Sequence, residues 1–129
     1  MFDVEICEPK KVVLVRFRGQ LTENDFGALD QLATRTDGSA GYDCIFDMTG
    51  VDEVDLATEF VARRGDLPQV FIDRERLYVV PQDDLKLLVR LYAAYQQSRG
   101  WRPPAVVATL AEALDRLGVA AVDFRPLPA

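Results

Sequence analysis

The chain has 129 residues, 49% hydrophobic and 28% charged, a size and composition that fit one globular domain able to bury a core without metals or disulfides. Its formal net charge of −6, from 21 acidic and 15 basic residues, argues against a protein that coats nucleic acid or docks electrostatically onto anionic membranes. It has no histidine, so the commonest general base and metal ligand is missing, and its 2 cysteines, Cys7 and Cys44, make no disulfide framework.

Phe2, Val4 and Ile6 alternate with Asp3 and Glu5, a period of two that predicts an edge strand with one wet face. Glu8-Pro9-Lys10-Lys11 reads as a turn. The unbroken apolar run from Val12 to Val15 predicts a second strand covered on both faces and paired antiparallel with the first. Thr22 is expected to cap a helix, with Asp25 in a shortened capping box and Phe26, Leu29, Leu32 and Ala33 on its buried face. The loop Asp37-Gly38-Ser39-Ala40-Gly41 ends that helix. A third strand is predicted from Tyr42 to Met48, with Asp47 near its end and a turn at Gly50. A second helix should run from about Asp55 to Arg64 and stop at Gly65.

Leu67-Pro68 breaks the chain again, before a buried strand from Leu77 to Val80 that Pro81 closes. Asp83 or Asp84 caps the longest helix, on which Leu88, Leu91, Tyr92 and Tyr95 fall at i, i+3, i+4 and i+7; Gly100 ends it. Pro103-Pro104 leads into a strand from Ala105 to Ala108. Thr109 and Glu112 form a capping box for the last helix, which carries Leu110, Leu114 and Leu117 and stops at Gly118. The tail 123–129 is proline-rich and expected to be loose, with Phe124 available to dock. The order β-β-α-β-α-β-α-β-α over residues 1–129 predicts one α/β domain with a mixed, mostly parallel five-stranded sheet and about four helices. Connections of about 20 residues between the later strands leave room for right-handed crossover helices.

Little catalytic chemistry is available. The chain has two serines, Ser39 in a glycine-rich turn and Ser98 near a helix end, and neither has the strand–turn–helix setting of a nucleophile elbow. Neither cysteine has a histidine to activate it. There is no phosphate-cradling glycine loop and no acidic series with calcium-loop spacing. No catalytic residue, cofactor or metal is expected, and the chain reads as a non-enzyme. Cys44 lies in an apolar run and is expected to be a small core residue. Twelve of the 15 basic residues are Arg, with local pairs at Arg63-Arg64, Arg74/Arg76 and Arg99/Arg102. These are either solvated helix ends and loops or forks for an anion. The start Met-Phe-Asp-Val-Glu lacks the charged and apolar regions of a secretion signal, and no apolar run is long enough to span a bilayer, so a cytoplasmic setting is expected.

Asp47 invites comparison with receiver domains, where an aspartate ending the third strand accepts a phosphoryl group. That chemistry also needs an earlier acidic pair and a later lysine. Here the second strand ends in Arg18-Gly19-Gln20 and the last in Ala108-Thr109, so the phospho-aspartate reading is rejected. Asp47 is expected instead to cap amides of the following turn.

The run Ile45-Phe46-Asp47-Met48-Thr49-Gly50-Val51, followed by Asp55-Leu56-Ala57-Thr58, resembles the STAS domain of anti-sigma-factor antagonists, the SpoIIAA-like proteins. In that family a strand ends in Asp-x-Ser/Thr-Gly-Val, and Asp-Ser-Ser-Gly opens the next helix. The element order agrees over essentially the whole chain. The resemblance implies a partner switch, in which phosphate on a serine at a helix N-terminus changes which protein binds. Here Ala57 stands at the phosphorylated position, with Leu56 beside it and Thr58 in place of the glycine, so the switch cannot operate as it does in the family. Thr58 and Thr49 are the remaining hydroxyls for a modification. The resemblance thus implies a non-catalytic interaction module whose partner-binding edge comprises Asp47, Thr49, Gly50, Asp55, Ala57 and Thr58. Amides at the start of the second helix are expected to receive an acidic group from the protein partner.

The segments Arg76 to Pro81 and Arg90 to Gln96 look like a divergent SpoIIAA-like branch that partly resembles the lipid-binding CRAL-TRIO fold. That likeness implies an alternative: a carrier or sensor of a small nonpolar, lipid-like ligand, with at most peripheral membrane contact. Phe60, Val61, Leu88, Leu91, Tyr92 and Tyr95 would line its cleft if the helices separate; ordinary helix-to-sheet packing is the plainer reading of the same residues. Trp101 is an interfacial anchor, a dimer contact or a cover for a helix end. A homodimer through the exposed edge of the first strand is also expected to be feasible.

Overall fold

In the computed structural model, which describes residues 1–35, 41–66 and 74–127, the period-two pattern at the N-terminus forms strand β1 (Phe2–Cys7). The apolar run after the turn forms β2 (Val12–Thr22), antiparallel to β1. There follow α1 (Glu23–Arg35), β3 (Asp43–Asp55), α2 (Thr58–Gly65), β4 (Arg76–Val79), α3 (Asp83–Ser98), β5 (Ala105–Val107) and α4 (Leu110–Leu117). A 3-10 turn at Ala121–Asp123 precedes a last short strand, β6 (Arg125–Pro126). The side chains of Leu32 and Ala33, most of the loop around Ser39, and Leu67-Pro68 lie outside the described residues.

The chain is α/β with one mixed sheet, ordered β5-β4-β3-β2-β1-β6. β2 through β5 are parallel neighbours, as the crossover lengths predict. The strands are added in one direction, so crossovers of one hand place α1, α2 and α3 on the same face. α4 follows the last parallel strand and covers the other face. Two apolar layers result. Ile6, Val13, Val15, Phe17, Cys44, Phe46 and Tyr78 pack under α1–α3. Cys7, Val12, Leu14, Ile45, Leu77 and Val79 pack under α4 and the C-terminal segment. β2 is therefore buried on both faces, because its side chains alternate between the two layers. No helix among the described residues is long and apolar enough to cross a membrane.

The sheet has six strands where five are predicted. Arg125 and Pro126, in the segment expected to be loose, pair with Ile6 and Glu5, and the Leu127 amide donates to the Val4 carbonyl at 2.9 Å. β1 is thus flanked by β6 and is not the outer strand that the homodimer expectation assumed. The tail docks because Phe124 and Leu127 each pack against an apolar layer.

The third strand also differs from its prediction. It does not stop near Asp47 and turn at Gly50, but continues to Asp55, and α2 starts at Thr58. Gly50 is an extended residue whose missing side chain matters for another reason. A Cβ there would lie 2.9 Å from the Phe17 carbonyl oxygen, so glycine is what lets β3 lie against β2. Gly65 likewise is no left-handed stop. It is the last residue of α2, and a Cβ on it would come within 2.4 Å of the Tyr95 Cβ.

The predicted residues cap α4, except that the Glu112 carboxylate accepts the Ala108 amide at 3.0 Å and not the Thr109 amide that a full capping box requires. The Thr109 hydroxyl accepts from the Glu112 amide at 3.1 Å, and Gly118 takes φ 68° at the other end. α3 starts from Gln82 in the N-cap position, with Asp83 and Asp84 in its first turn. At the start of α1 the Asp25 carboxylate accepts the Thr22 amide at 3.0 Å, the backward half of a capping box.

The two helical glycines give opposite expectations. Gly65→Ala overpacks the α2–α3 contact and should cost about 1–3 kcal/mol. Gly27→Ala, on the exposed side of α1 with nothing within 4 Å of its Cβ position, should add up to about 1 kcal/mol. Urea unfolding midpoints of the two variants check both signs.

Candidate functional site

Pairing between β3 and β4 ends at Asp47 opposite Val79, but β3 runs on. From Val51 to Asp55 it pairs with Gly19–Thr22 of β2, and no other described strand joins it there. A parallel two-stranded ribbon therefore extends past the body of the sheet, at the carboxyl ends of the strands where α/β sheets place their sites. The β4 side of this ribbon is partly closed by one side chain. Gln82 donates through Nε2 to the Met48 carbonyl at 3.0 Å and to the Val51 carbonyl at 2.8 Å.

Asp47 shapes the base of the ribbon. Arg16 pairs with Asp47 and Arg18 with Gly50, so Met48 and Thr49 together face Phe17 in a bulge. One carboxylate oxygen of Asp47 accepts the Thr49 amide at 3.0 Å and the Thr49 hydroxyl at 2.7 Å, which clips the bulge shut. The amide-capping role expected for Asp47 is present, but in a bulged strand rather than a turn. Asp47 is buried; Thr49, Gly50, Asp55, Ala57 and Thr58 are all exposed. Four of the six lie on β3, while Ala57 is the N-cap of α2 and Thr58 its first residue. Ala57 contributes no side-chain cap, only a carbonyl that accepts from Phe60 and Val61. Asp52, Glu53 and Glu59 are exposed beside them, as are Asp83 and Asp84 in the first turn of α3. The edge is therefore acidic. Among the described residues no group of carboxylates and cysteines could hold a metal ion.

Under α1, α2 and α3 lies an apolar cleft of about 40 Å³, open on one side, which is room for about three waters. Of the predicted cleft residues, Phe60, Val61, Leu88 and Tyr92 line it, while Leu91 and Tyr95 do not. The fully buried residues of α3 are Leu85, Val89 and Gln96, whereas Leu88, Leu91, Tyr92 and Tyr95 are all half-buried, so the centre of its inward face is rotated from the predicted one. A polar residue, Gln96, closes that face, and apolar periodicity alone cannot find it. Phe26, Met48, Arg64 and Tyr78 also line the cleft and were not expected there.

Polar groups hold the cleft walls. Arg64 of α2 forms a bidentate pair with Asp30 of α1, at 3.1 and 2.8 Å, and its guanidinium lies 4.8 Å from the centre of the Phe26 ring. Burial pulls the Arg64 pKa down, but the Asp30 hydrogen bond and charge outweigh it and hold the group above its ordinary value. Behind the cleft, Arg76 is buried and donates to the Tyr92 hydroxyl at 2.9 Å, to Gln96 Oε1 at 3.2 Å and to the Arg102 carbonyl at 2.6 Å. Gln96, fully buried, donates in turn to the Gly65 carbonyl at 2.7 Å. β4, α3 and α2 are thus joined through one amide side chain. Of the arginine pairs, Arg76 is buried and Arg64 is mostly covered in the cleft wall, whereas Arg99 meets Asp66, and Arg102 approaches Glu75, at the surface.

Burial pushes the Tyr78 phenol well above the ordinary tyrosine range, with Tyr92 adding to the shift. Burial does the same to the Cys44 thiol, against a smaller opposing pull from Arg76.

A scan of the chain against protein-family models matches none, and comparison with curated proteins finds no match.

Gln96→Leu leaves Arg76 and the Gly65 carbonyl each short of a partner, and should cost about 3 kcal/mol in urea unfolding. The raised pKa values of Cys44 and Tyr78 mean that the native state keeps protons the unfolded chain gives up. Their contribution is intact below the unfolded pKa values and is lost as pH rises, so stability should fall progressively above about pH 9. Cys44→Ala should remove the earlier part of that fall and Tyr78→Phe the later part, read as the free energy of unfolding against pH.

Proposed function

We propose that this chain is a non-catalytic, STAS-like interaction module that binds a protein partner through the β2–β3 ribbon and the start of α2. The observation that carries the reading is the overhang of β3 beyond β4, where Asp52, Glu53 and Asp55 are exposed on a strand with no described neighbour on that side and Ala57 and Thr58 are exposed just beyond it, while Val51 and Val54 turn to the core. Open strand edges of this kind are sites for adding a partner segment. The element order and the Asp-x-Thr-Gly-Val run support the STAS-like assignment. Ala57 at the exposed N-cap supports a module that works without a phosphoserine switch. The exposed acids of the ribbon favour a partner with a basic surface, and they discourage the edge from pairing with a second copy of itself.

A second reading, a carrier or sensor of a small apolar ligand, is favoured by the cleft, which four of the predicted residues line. The two readings use different surfaces and share α2.

Photo-crosslinking amino acids placed singly at Asp52, Thr58 and Arg116 test the first reading in cells. Arg116 lies on α4, on the opposite face. Adducts to one partner should form from positions 52 and 58 and not from 116. Equal yields from all three, or none from the ribbon, would sink the proposal. For the second reading, native mass spectrometry of the freshly purified protein should show extra mass that disappears on denaturation.

A further inference from the structure

The floor of the cleft holds an unused hydroxyl. Tyr78, on β4, is 7% exposed, and its ring stacks on Phe46 at 4.6 Å and meets the Tyr92 ring at 6.4 Å. The two phenols differ in one respect. The Tyr92 hydroxyl accepts from Arg76, whereas no described group hydrogen-bonds the Tyr78 hydroxyl. Tyr78 itself is one of the residues that line the cleft, together with its ring neighbour Tyr92. Buried tyrosine hydroxyls normally find a partner, because one left without costs free energy.

The rest of the cleft decides what that partner can be. Phe26, Phe60, Leu85 and Leu88 give it apolar walls. Among the described residues Arg64 is the one charged residue lining it, and its charge is already paired with Asp30 through two hydrogen bonds. A ligand carboxylate would lose its water there and find no unpaired cation. The volume of about 40 Å³, open on one side, suits a single ring or a short branched chain and not a long acyl tail.

We propose that the cleft takes a small neutral molecule with an apolar body and a single hydroxyl or carbonyl oxygen, which hydrogen-bonds the Tyr78 hydroxyl. This rests on the ligand-binding reading above and is independent of the partner edge.

The test titrates the full chain with phenol and with benzene, following ring signals of Phe26, Phe60 and Tyr92 by NMR, in the wild type and in Tyr78→Phe. Phenol should bind about tenfold more weakly to the variant, while benzene changes by less than about twofold. In the wild type alone, the Tyr78 Cζ signal should move with phenol and stay put with benzene, a readout that needs no variant to fold. If both probes bind the cleft but phenol is indifferent to Tyr78→Phe and leaves Cζ unmoved, ligand binding stands and the oxygen contact is overturned. If neither probe moves the cleft rings, both fail.

Discussion

At Gly65 the second and third helices come so close that no side chain fits between them. The Gln96 amide ties the Gly65 carbonyl to Arg76, and Arg76 reaches back to Tyr92 and onward to the Arg102 carbonyl. This contact sets the geometry of the helical layer. It pins α2 and α3 together at one end, while Phe60 and Leu88, nearer the other, line open space. The cleft is thus the wedge left between two helices that are fixed at one point. The arrangement is a polar one in an apolar layer, and it holds because nearly every donor and acceptor in it is matched. Arg76 Nε is the exception, buried without a partner among the described residues.

The other surface has a different origin. Gly50 admits the Phe17 carbonyl, and Asp47 clips the bulge that follows, so β3 continues where a turn was expected. A second register shift, between Gly19 and Gln20, lets the ribbon continue to Thr22 and Asp55. β4 stops earlier, and Gln82 covers the nearest exposed carbonyls of β3. The ribbon and the cleft then meet in one short helix. Thr58 starts α2 at the ribbon, and Phe60, Val61 and Arg64 of the same helix line the cleft.

Much of the fold was legible in the sequence, where pattern and turn chemistry agree. The run Val12–Val15, the caps at Thr109 and Gly118 and the order of the first nine elements are found as read. The errors come from residues whose meaning depends on a distant neighbour. Gly50 reads as a turn because nothing local announces the Phe17 carbonyl beside it. Gly65 reads as a helix stop because Tyr95 lies far away in sequence. Arg125 and Pro126 carry no strand signal, since proline cannot donate to a ladder, and they pair only because Phe124 and Leu127 dock. On α3, apolar spacing picks out Leu88 and Tyr92, which line the cleft, together with Leu91 and Tyr95, which do not, Tyr95 packing instead against Gly65 of α2. The corrective signal was Gln96, a polar residue in register with Leu85, Val89 and Tyr92.

The two cysteines fall on opposite sides of the sheet, Cys7 under α4 and the C-terminal segment, Cys44 under the three-helix layer. Both are sealed, at 1% and 0% exposure. The sheet between them keeps the sulfurs from meeting, and each thiol becomes reactive only when its own layer lifts. The protein therefore carries one chemical clock per layer. The rates at which Cys7 and Cys44 are alkylated separate motion of the face that holds the cleft from motion of the face that does not.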